Sequence, residues 1–222
     1  VIAGTGGNST RESVELTRAA KDVGADACLL VTPYYNKPTQ EGLYLHFRHI
    51  AESVAIPQIL YNVPGRTVCD MLPETVERLA KIDNIIGIKE AGGQVEKAAR
   101  LVRESDQEFI VLSGDDSLTL PFAQVGGQGI VSVASNFIPG PVAQLAKLAH
   151  TRQFAEAKVL HDKLADIFKT LFVEPNPVPV KHCMMRAGII RSDEVRLPLC
   201  EMSEANRLLV EKVADATLAS LR

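Results

Sequence analysis

The sequence predicts an α/β fold built on a parallel sheet, and three observations carry that expectation. Short β-rich runs alternate with longer segments of helical periodicity. From the second strand onward the runs begin at Ala27, Gln58, Ile85, Phe109 and Ile130, one βα unit to each interval. No run of comparable strand quality follows Val133, where helical segments take over. An open doubly wound sheet satisfies this pattern, and so does a (β/α)8 barrel, which takes about 250 residues and eight units. Periodicity alone leaves both standing.

The elements follow in order. Residues 1–3 form the first strand candidate and run into the glycine loop 4–8. Ser9, with Glu12 three residues later, makes a capping box, and Val14, Leu16, Thr17, Ala20 and Val23 mark the helix that Gly24 stops. The second strand is Ala27–Val31, and a loop carrying Pro33 and Pro38 leads to a helix over 41–54. There Leu43, Phe47, Ile50 and Ala51 share one face. Pro57 resets the chain for a strand at 58–61. Helices at 73–81, 95–103 and 117–125 then precede strands at 85–89, 109–112 and 130–133. Helical segments at 139–149, 154–171, 178–187 and 203–221 complete the chain. Two regions are expected: βα units over 1–150 and a helical region over 151–222.

Composition narrows the function classes. The 222 residues are 46% hydrophobic and 23% charged, the balance of a globular protein with room for a core. Lys and Arg number 24 against 27 Asp and Glu, a net charge of −3 without a basic stripe, so no nucleic-acid partner is expected. The apolar runs fall far short of the ~20 residues of a membrane span, so no membrane partner is expected either. Nothing in the sequence marks secretion. Cys28, Cys69, Cys183 and Cys200 show no C-x-x-C spacing and read as reduced thiols of a cytoplasmic protein. His46 and His49 stand three apart, His150 and His161 fall in helices, and His182 adjoins Cys183; with no strand-end cluster, no metal site is expected.

In either architecture the chemistry belongs at the C-terminal ends of the strands. The residues leaving the strands are Gly4-Thr5-Gly6-Gly7-Asn8, Thr32-Pro33-Tyr34-Tyr35-Asn36, Tyr61-Asn62-Val63-Pro64-Gly65-Arg66-Thr67, Lys89-Glu90, Ser113-Gly114-Asp115-Asp116 and Ser132-Val133-Ala134-Ser135-Asn136. Lys89 ends the apolar run Ile85-Ile86-Gly87-Ile88, where partial desolvation disfavours the ammonium and leaves an amine able to attack a ketone. The plain structural alternative pairs Lys89 with its neighbour Glu90 or has it cap a surface loop. Tyr61 ends the preceding strand, about 4.8 Å away if the two strands pair, and its phenol could carry protons for imine formation. The alternative there is a core tyrosine bonded to a backbone carbonyl. Arg66 offers a planar fork to a carboxylate; otherwise it is a solvated loop residue.

The segments GTGGNST, VTPYYNKPTQEG, LYNVPGRT, IIGIKEA, LSGDDS and GGQGIVSVASN, in this order and spacing, closely resemble the dihydrodipicolinate synthase family. That family, also called 4-hydroxy-tetrahydrodipicolinate synthase, stands with N-acetylneuraminate lyase among the Schiff-base aldolases of (β/α)8 type. The resemblance spans essentially the whole chain. Its Pro-Gly-Arg-Thr turn looks like the synthase, because lyase and sugar-acid aldolase members usually lack that Arg.

The resemblance implies a role for each matching residue. Lys89 would form the Schiff base with pyruvate, Tyr61 would relay protons, and Tyr35 would reach into a neighbouring subunit's site to complete the relay. Arg66 would bind the carboxylate of aspartate semialdehyde, while Gly114 and Val131 would lend backbone groups near pyruvate. Asn8, Glu12 and Tyr34 resemble residues of an allosteric lysine pocket. No cofactor is implied beyond the covalent imine, and the assembly would be a homotetramer built from tight dimers that meet at Tyr34-Tyr35. The reaction would be the first committed step of lysine and diaminopimelate biosynthesis.

Rival readings have their own signals. Gly4-Thr5-Gly6-Gly7-Asn8-Ser9 partly imitates a dinucleotide fingerprint, but Ser9 replaces the third glycine and Thr32, not an acid, ends the following strand. A sibling aldolase or lyase of sialic or sugar acids would share the pyruvate half-reaction. A catalytically impaired scaffold is the third reading, because no segment corresponds to the family's threonine pair on its second strand. Six βα units against the eight of a closed barrel imply that the first two are lacking, roughly 60 residues at ~30 per unit. Such a remnant would expose two hydrophobic sheet edges and, if complete as given, would turn over poorly.

Overall fold

The computed structural model describes residues 1–106 and 108–221. Its strands are β1 (Ile2–Gly4), β2 (Ala27–Val31), β3 (Gln58–Asn62), β4 (Ile85–Glu90), β5 (Ile110–Ser113) and β6 (Gly129–Ile130). They form one six-stranded sheet in the order β1-β2-β3-β4-β5-β6, with the pairings from β1 to β5 all parallel. A doubly wound sheet reverses its strand order at a switch point, and this one does not. The monotonic order is the winding of a (β/α) barrel, so the doubly wound alternative is set aside.

The helices are α1 (Thr10–Asp22), α2 (Gln40–Ser53), α3 (Pro64–Thr67), α4 (Pro73–Leu79), α5 (Val95–Glu104), α6 (Thr119–Gln124), α7 (Pro139–His150), α8 (Phe154–Thr170), α9 (Val178–Arg186) and α10 (Glu204–Ser220). Among the described residues none is long and apolar enough to cross a membrane. The chain divides into two compact units, one of residues 1–114 and 125–129, the other of residues 115–124 and 130–222.

The first unit holds β1–β5, α1–α5 and Gly129 of β6. Its core is the apolar layer between sheet and helices, with Leu30, Leu60 and Ile88 from the strands and Leu43, Phe47 and Ile50 from α2. As expected, Ser9 caps α1 by accepting from the Glu12 amide at 3.4 Å. The buried face of α1 is Ser13, Val14, Thr17 and Ala20, whereas Leu16 and Val23 are exposed. Leu16 stands two residues from Val14, about 200° round a 3.6-residue helix, so it points away from the sheet. The buried face of α2 is the one read from the sequence, with His46 added to it. At the other edge Gln128 continues the ladder, its amide donating to the Val111 carbonyl at 3.0 Å and its side-chain oxygen accepting from the Val111 amide at 2.8 Å.

The second unit is helical around a core that includes Leu145, Leu164, Ile167, Phe168, Leu171 and Val210. The helix expected over 117–125 is a 3-10 turn at Asp116–Leu118 followed by α6. The strand expected over 130–133 ends at Ile130. Asp116 ends it: its buried carboxylate accepts the amides of Val133 at 2.9 Å and Ala134 at 3.0 Å and the Ser132 hydroxyl, which draws the segment into the turn Ala134–Asn136. Cys183 is buried in this unit and Cys200 exposed, while Cys28 and Cys69 are buried in the first; all four are free thiols.

Candidate functional site

Parallel pairing in register places Lys89 of β4 directly opposite Tyr61 of β3. Side chains alternate along a strand, so Tyr61 and Lys89 share one face of the sheet while Leu60, Asn62, Ile88 and Glu90 take the other. The Lys89 Nζ lies 4.0 Å from the centre of the Tyr61 ring, with both residues half-buried. Burial pushes the Tyr61 phenol above its ordinary range and the charge of Arg66 draws it partly back, so the phenol remains a proton donor through neutral pH.

Gly114 closes this pair from the next strand tip. Its amide donates to the Glu90 carbonyl at 2.8 Å. A methyl group at its Cα would stand 2.7 Å from the Ala91 Cβ and 3.0 Å from the Lys89 Cε, so Ala91 leaves no room for a side chain here and the lysine stem passes close by. Gly6 fills a comparable place in the first loop, where a Cβ would meet the Val31 backbone nitrogen at 2.3 Å. The glycine loop is shaped by its crossing of β2, which accounts for the partial likeness to a dinucleotide fingerprint.

Arg66 belongs to α3, a single turn begun by Pro64 and closed by Val68 at φ 56°. It is exposed, within electrostatic reach of Tyr61. The turn is anchored by Thr67, whose hydroxyl accepts from Thr32 at 3.2 Å and lies 3.0 Å from the Cys69 carbonyl. Thr32 itself follows β2 and donates its amide to the Tyr61 carbonyl at 2.9 Å. The tips of β2 and β3 are thereby tied together beside the Lys89 and Tyr61 pair.

The remaining residues singled out by sequence lie elsewhere. Tyr35 is 89% exposed at φ 73°, on the loop between β2 and α2. That loop is bound to the first one: Asn8 Nδ2 donates to the Tyr34 carbonyl at 3.3 Å and Asn36 Nδ2 to the Asn8 carbonyl at 2.8 Å. Asn8 and Tyr34 are therefore together, with Glu12 exposed in the first turn of α1. Val131 follows β6 in the second unit and is half-buried. Among the described residues no group of three or more His, Cys, Asp or Glu side chains gathers in metal-binding geometry.

Glu90 was the sequence's alternative partner for Lys89, and the structure corrects this. As the next residue on the strand it faces the other way, 1% exposed, where Asn62, the Gly92 amide and Lys97 surround its carboxylate. Burial pushes the Glu90 carboxyl above the usual carboxylate range, against the pull of Lys97, Asn62 and Gly92. Sequence reasoning passed over this cluster. Its one signal was a charged residue following Lys89 on a strand whose alternation had to bury it.

Known proteins resemble the chain over most of its length. The Dihydrodipicolinate synthetase family matches residues 1–217. A 4-hydroxy-tetrahydrodipicolinate synthase of Ectopseudomonas mendocina is 62% identical over 203 residues, 91% of this chain and 69% of that protein. The structure of the 4-hydroxy-tetrahydrodipicolinate synthase from Methylacidiphilum fumariolicum SolV superposes with a TM-score of 0.97 at 47% identity, over 99% of this chain and 73% of the other. DHDPS from Cyanidioschyzon merolae with lysine bound gives 0.94 at 39% identity, over 98% of this chain and 74% of the other.

Proposed function

The chain belongs to the Dihydrodipicolinate synthetase family, and we propose that it condenses pyruvate with L-aspartate 4-semialdehyde to 4-hydroxy-tetrahydrodipicolinate through an imine on Lys89. One observation carries the assignment of the lysine: its amine stands over the Tyr61 ring at 4.0 Å on the adjoining strand tip.

The roles follow from that placement. The neutral Lys89 amine adds to the ketone carbon of pyruvate, and the Tyr61 hydroxyl supplies a proton so that the carbinolamine oxygen leaves as water. The iminium withdraws electrons from the adjoining methyl group, which loses a proton to give the enamine. Its terminal carbon attacks the aldehyde carbon of the semialdehyde, and the resulting alkoxide takes up a proton. The amine of the semialdehyde then adds to the iminium carbon, closing the ring and releasing Lys89. Arg66 holds the semialdehyde carboxylate at the mouth of the site, and Gly114 and Val131 contribute backbone groups near pyruvate. This is lyase-type chemistry at the entry to lysine and diaminopimelate synthesis.

We read residues 1–150 as units three to eight of a (β/α)8 barrel and 151–222 as its helical extension. The sequential order of the six strands is what supports a barrel reading. Tyr35 is read as completing the relay of a neighbouring subunit in a tetramer of tight dimers, a role that suits a tyrosine 89% exposed. Asn8, Glu12 and Tyr34 are read as one wall of a pocket for inhibitory lysine, which a relative holds bound. A cytoplasmic setting suits the free thiols.

Borohydride reduction in the presence of pyruvate tests the assignment. The expected result is one reduced pyruvate on the peptide containing Lys89 and none in Lys89→Arg. An unlabelled Lys89 peptide, or an adduct that survives in Lys89→Arg, would overturn it. Running the condensation beside cleavage of N-acetylneuraminate separates this substrate pair from that of a sibling aldolase.

A further inference from the structure

Directly behind Tyr61 and Lys89, on the opposite face of the same strand tips, lies a polar cluster that the reaction above does not use. Asn62 and Glu90 immediately follow those two residues and are 0% and 1% exposed. The Glu90 carboxylate accepts from Asn62 Nδ2 at 2.9 Å and from the Gly92 amide at 2.5 Å, and faces the Lys97 ammonium at 3.5 Å. Asn62 also donates to Asp70 at 2.8 Å and accepts the Met71 amide at 2.9 Å. Lys97, from α5, donates to the same Asp70 carboxylate at 2.5 Å.

The backbone repeats the connection. The Ala91 amide donates to the Asn62 carbonyl and the Gly114 amide to the Glu90 carbonyl, each at 2.8 Å. The two tips bearing Lys89 and Tyr61 are therefore joined side chain to side chain, fastened to α5 and to the loop before α4, and continued to Gly114, where an added Cβ would crowd Ala91 and the Lys89 side chain. A buried charged cluster is a poor source of net stability, since desolvation offsets most of its attraction. Its position points to geometry, because displacing a reacting group by about 1 Å costs on the order of 100-fold in rate.

We propose that Glu90, held by Asn62 and Lys97, is a positioning residue for the imine chemistry: it locks the β3 and β4 tips so that the Lys89 amine stays over Tyr61. The inference rests on the reading of Lys89 as the imine-forming lysine. A carboxylate is required because its partners are donors; an amide at this position would turn its own N–H groups toward donors.

The experiment compares Glu90→Gln, Lys97→Met and Ile88→Val in the whole enzyme. Ile88→Val is a buried change on the same strand that serves as a stability control. Read-outs are the borohydride-trapping rate with pyruvate, its pH profile, kcat, KM and the melting temperature. Glu90→Gln is expected to lower the trapping rate and kcat by about 10- to 100-fold with KM for pyruvate held within about threefold. Its pH profile should shift, while Ile88→Val keeps its rate and profile. Lys97→Met, which acts from α5, is expected to change rate and profile in the same direction. It decides the matter by the same criteria should Glu90→Gln not fold. Trapping at the parent rate with an unshifted profile overturns the inference, as does an equal loss in Ile88→Val at a matched melting temperature. If the parent itself leaves Lys89 unlabelled, the functional reading fails and takes this one with it.

Discussion

Lys89 and Tyr61 lie opposite each other on paired strands, with the lysine nitrogen 4.0 Å from the centre of the tyrosine ring. A cation is attracted to the face of an aromatic ring, so the contact favours a lysine side chain held over Tyr61. The same ring carries the hydroxyl that would protonate the departing oxygen. Contact and proton transfer can be separated by substitution.

Tyr61→Phe keeps the ring under Lys89 and removes only the hydroxyl. The expected loss in kcat is about 100- to 10,000-fold, the range for a positioned acid or base, with the melting temperature little changed. Steady-state kinetics and a thermal melt check it. A kcat within twofold of the parent would remove Tyr61 from the proton path.

Gly114→Ala would place a methyl group 2.7 Å from Ala91 Cβ and 3.0 Å from Lys89 Cε. Overpacking of this kind costs about 1–3 kcal/mol, and here it presses first on Ala91, two residues beyond Lys89, and then on the lysine side chain. Trapping of pyruvate should slow well beyond what the stability loss produces. Gly140→Ala, in open space at the start of α7, should leave trapping unchanged. Equal behaviour of the two variants in urea melts and trapping assays would refute the close approach at Gly114.

Arg66→Lys retains the charge and loses the planar fork. KM for aspartate semialdehyde is expected to rise about tenfold, some 1.4 kcal/mol, while the trapping rate with pyruvate alone stays at the parent value. An unchanged KM for the semialdehyde, or an equal defect with pyruvate alone, would count against Arg66 as the second-substrate residue.

His46 gives the first unit a pH-dependent stability. Burial, aided by the charge of His49, holds its imidazole down at about 4, and its Nδ1 is tied to the Thr10 hydroxyl at 2.8 Å. Between about 4 and 6.5 the unfolded chain takes up a proton that the folded one refuses, so stability is full above 6.5 and falls as pH drops toward 4. The loss by pH 4.5 is expected to be about 2–3 kcal/mol. Urea midpoints at pH 7.5 and 4.5 measure it, and His46→Leu should flatten the slope. Parallel slopes in parent and variant would assign the effect to other groups.

Much of this arrangement was legible in the chain. The strand tips at Tyr61 and Lys89 were read from apolar runs followed by polar residues, and the α2 face from its period. The reading strayed where a distant group intervened. Ile130 ends its strand because the Asp116 carboxylate captures the amides of Val133 and Ala134, a contact that no local pattern announces. Leu16 and Val23 helped mark the α1 helix in the sequence, yet both are exposed, since only the angle each takes on the helix decides which apolar residues meet the sheet. The alternative that paired Lys89 with Glu90 rested on adjacency, whereas strand geometry puts adjacent residues on opposite faces.

By itself the sequence determined the succession of βα units, the ends at which chemistry could gather, and the lysine and tyrosine at two of those ends. These depend on side-chain period, capping and turn residues, all properties of short stretches. Tertiary structure alone decided that the strands run in sequential order, that Tyr61 faces Lys89 in register, that Gly114 lies against the lysine stem, and that Asn62, Glu90 and Lys97 close behind them. Register and cross-strand contact join residues separated in the chain, and the competition among packings that selects them is settled only when the whole sheet and its helices are in place.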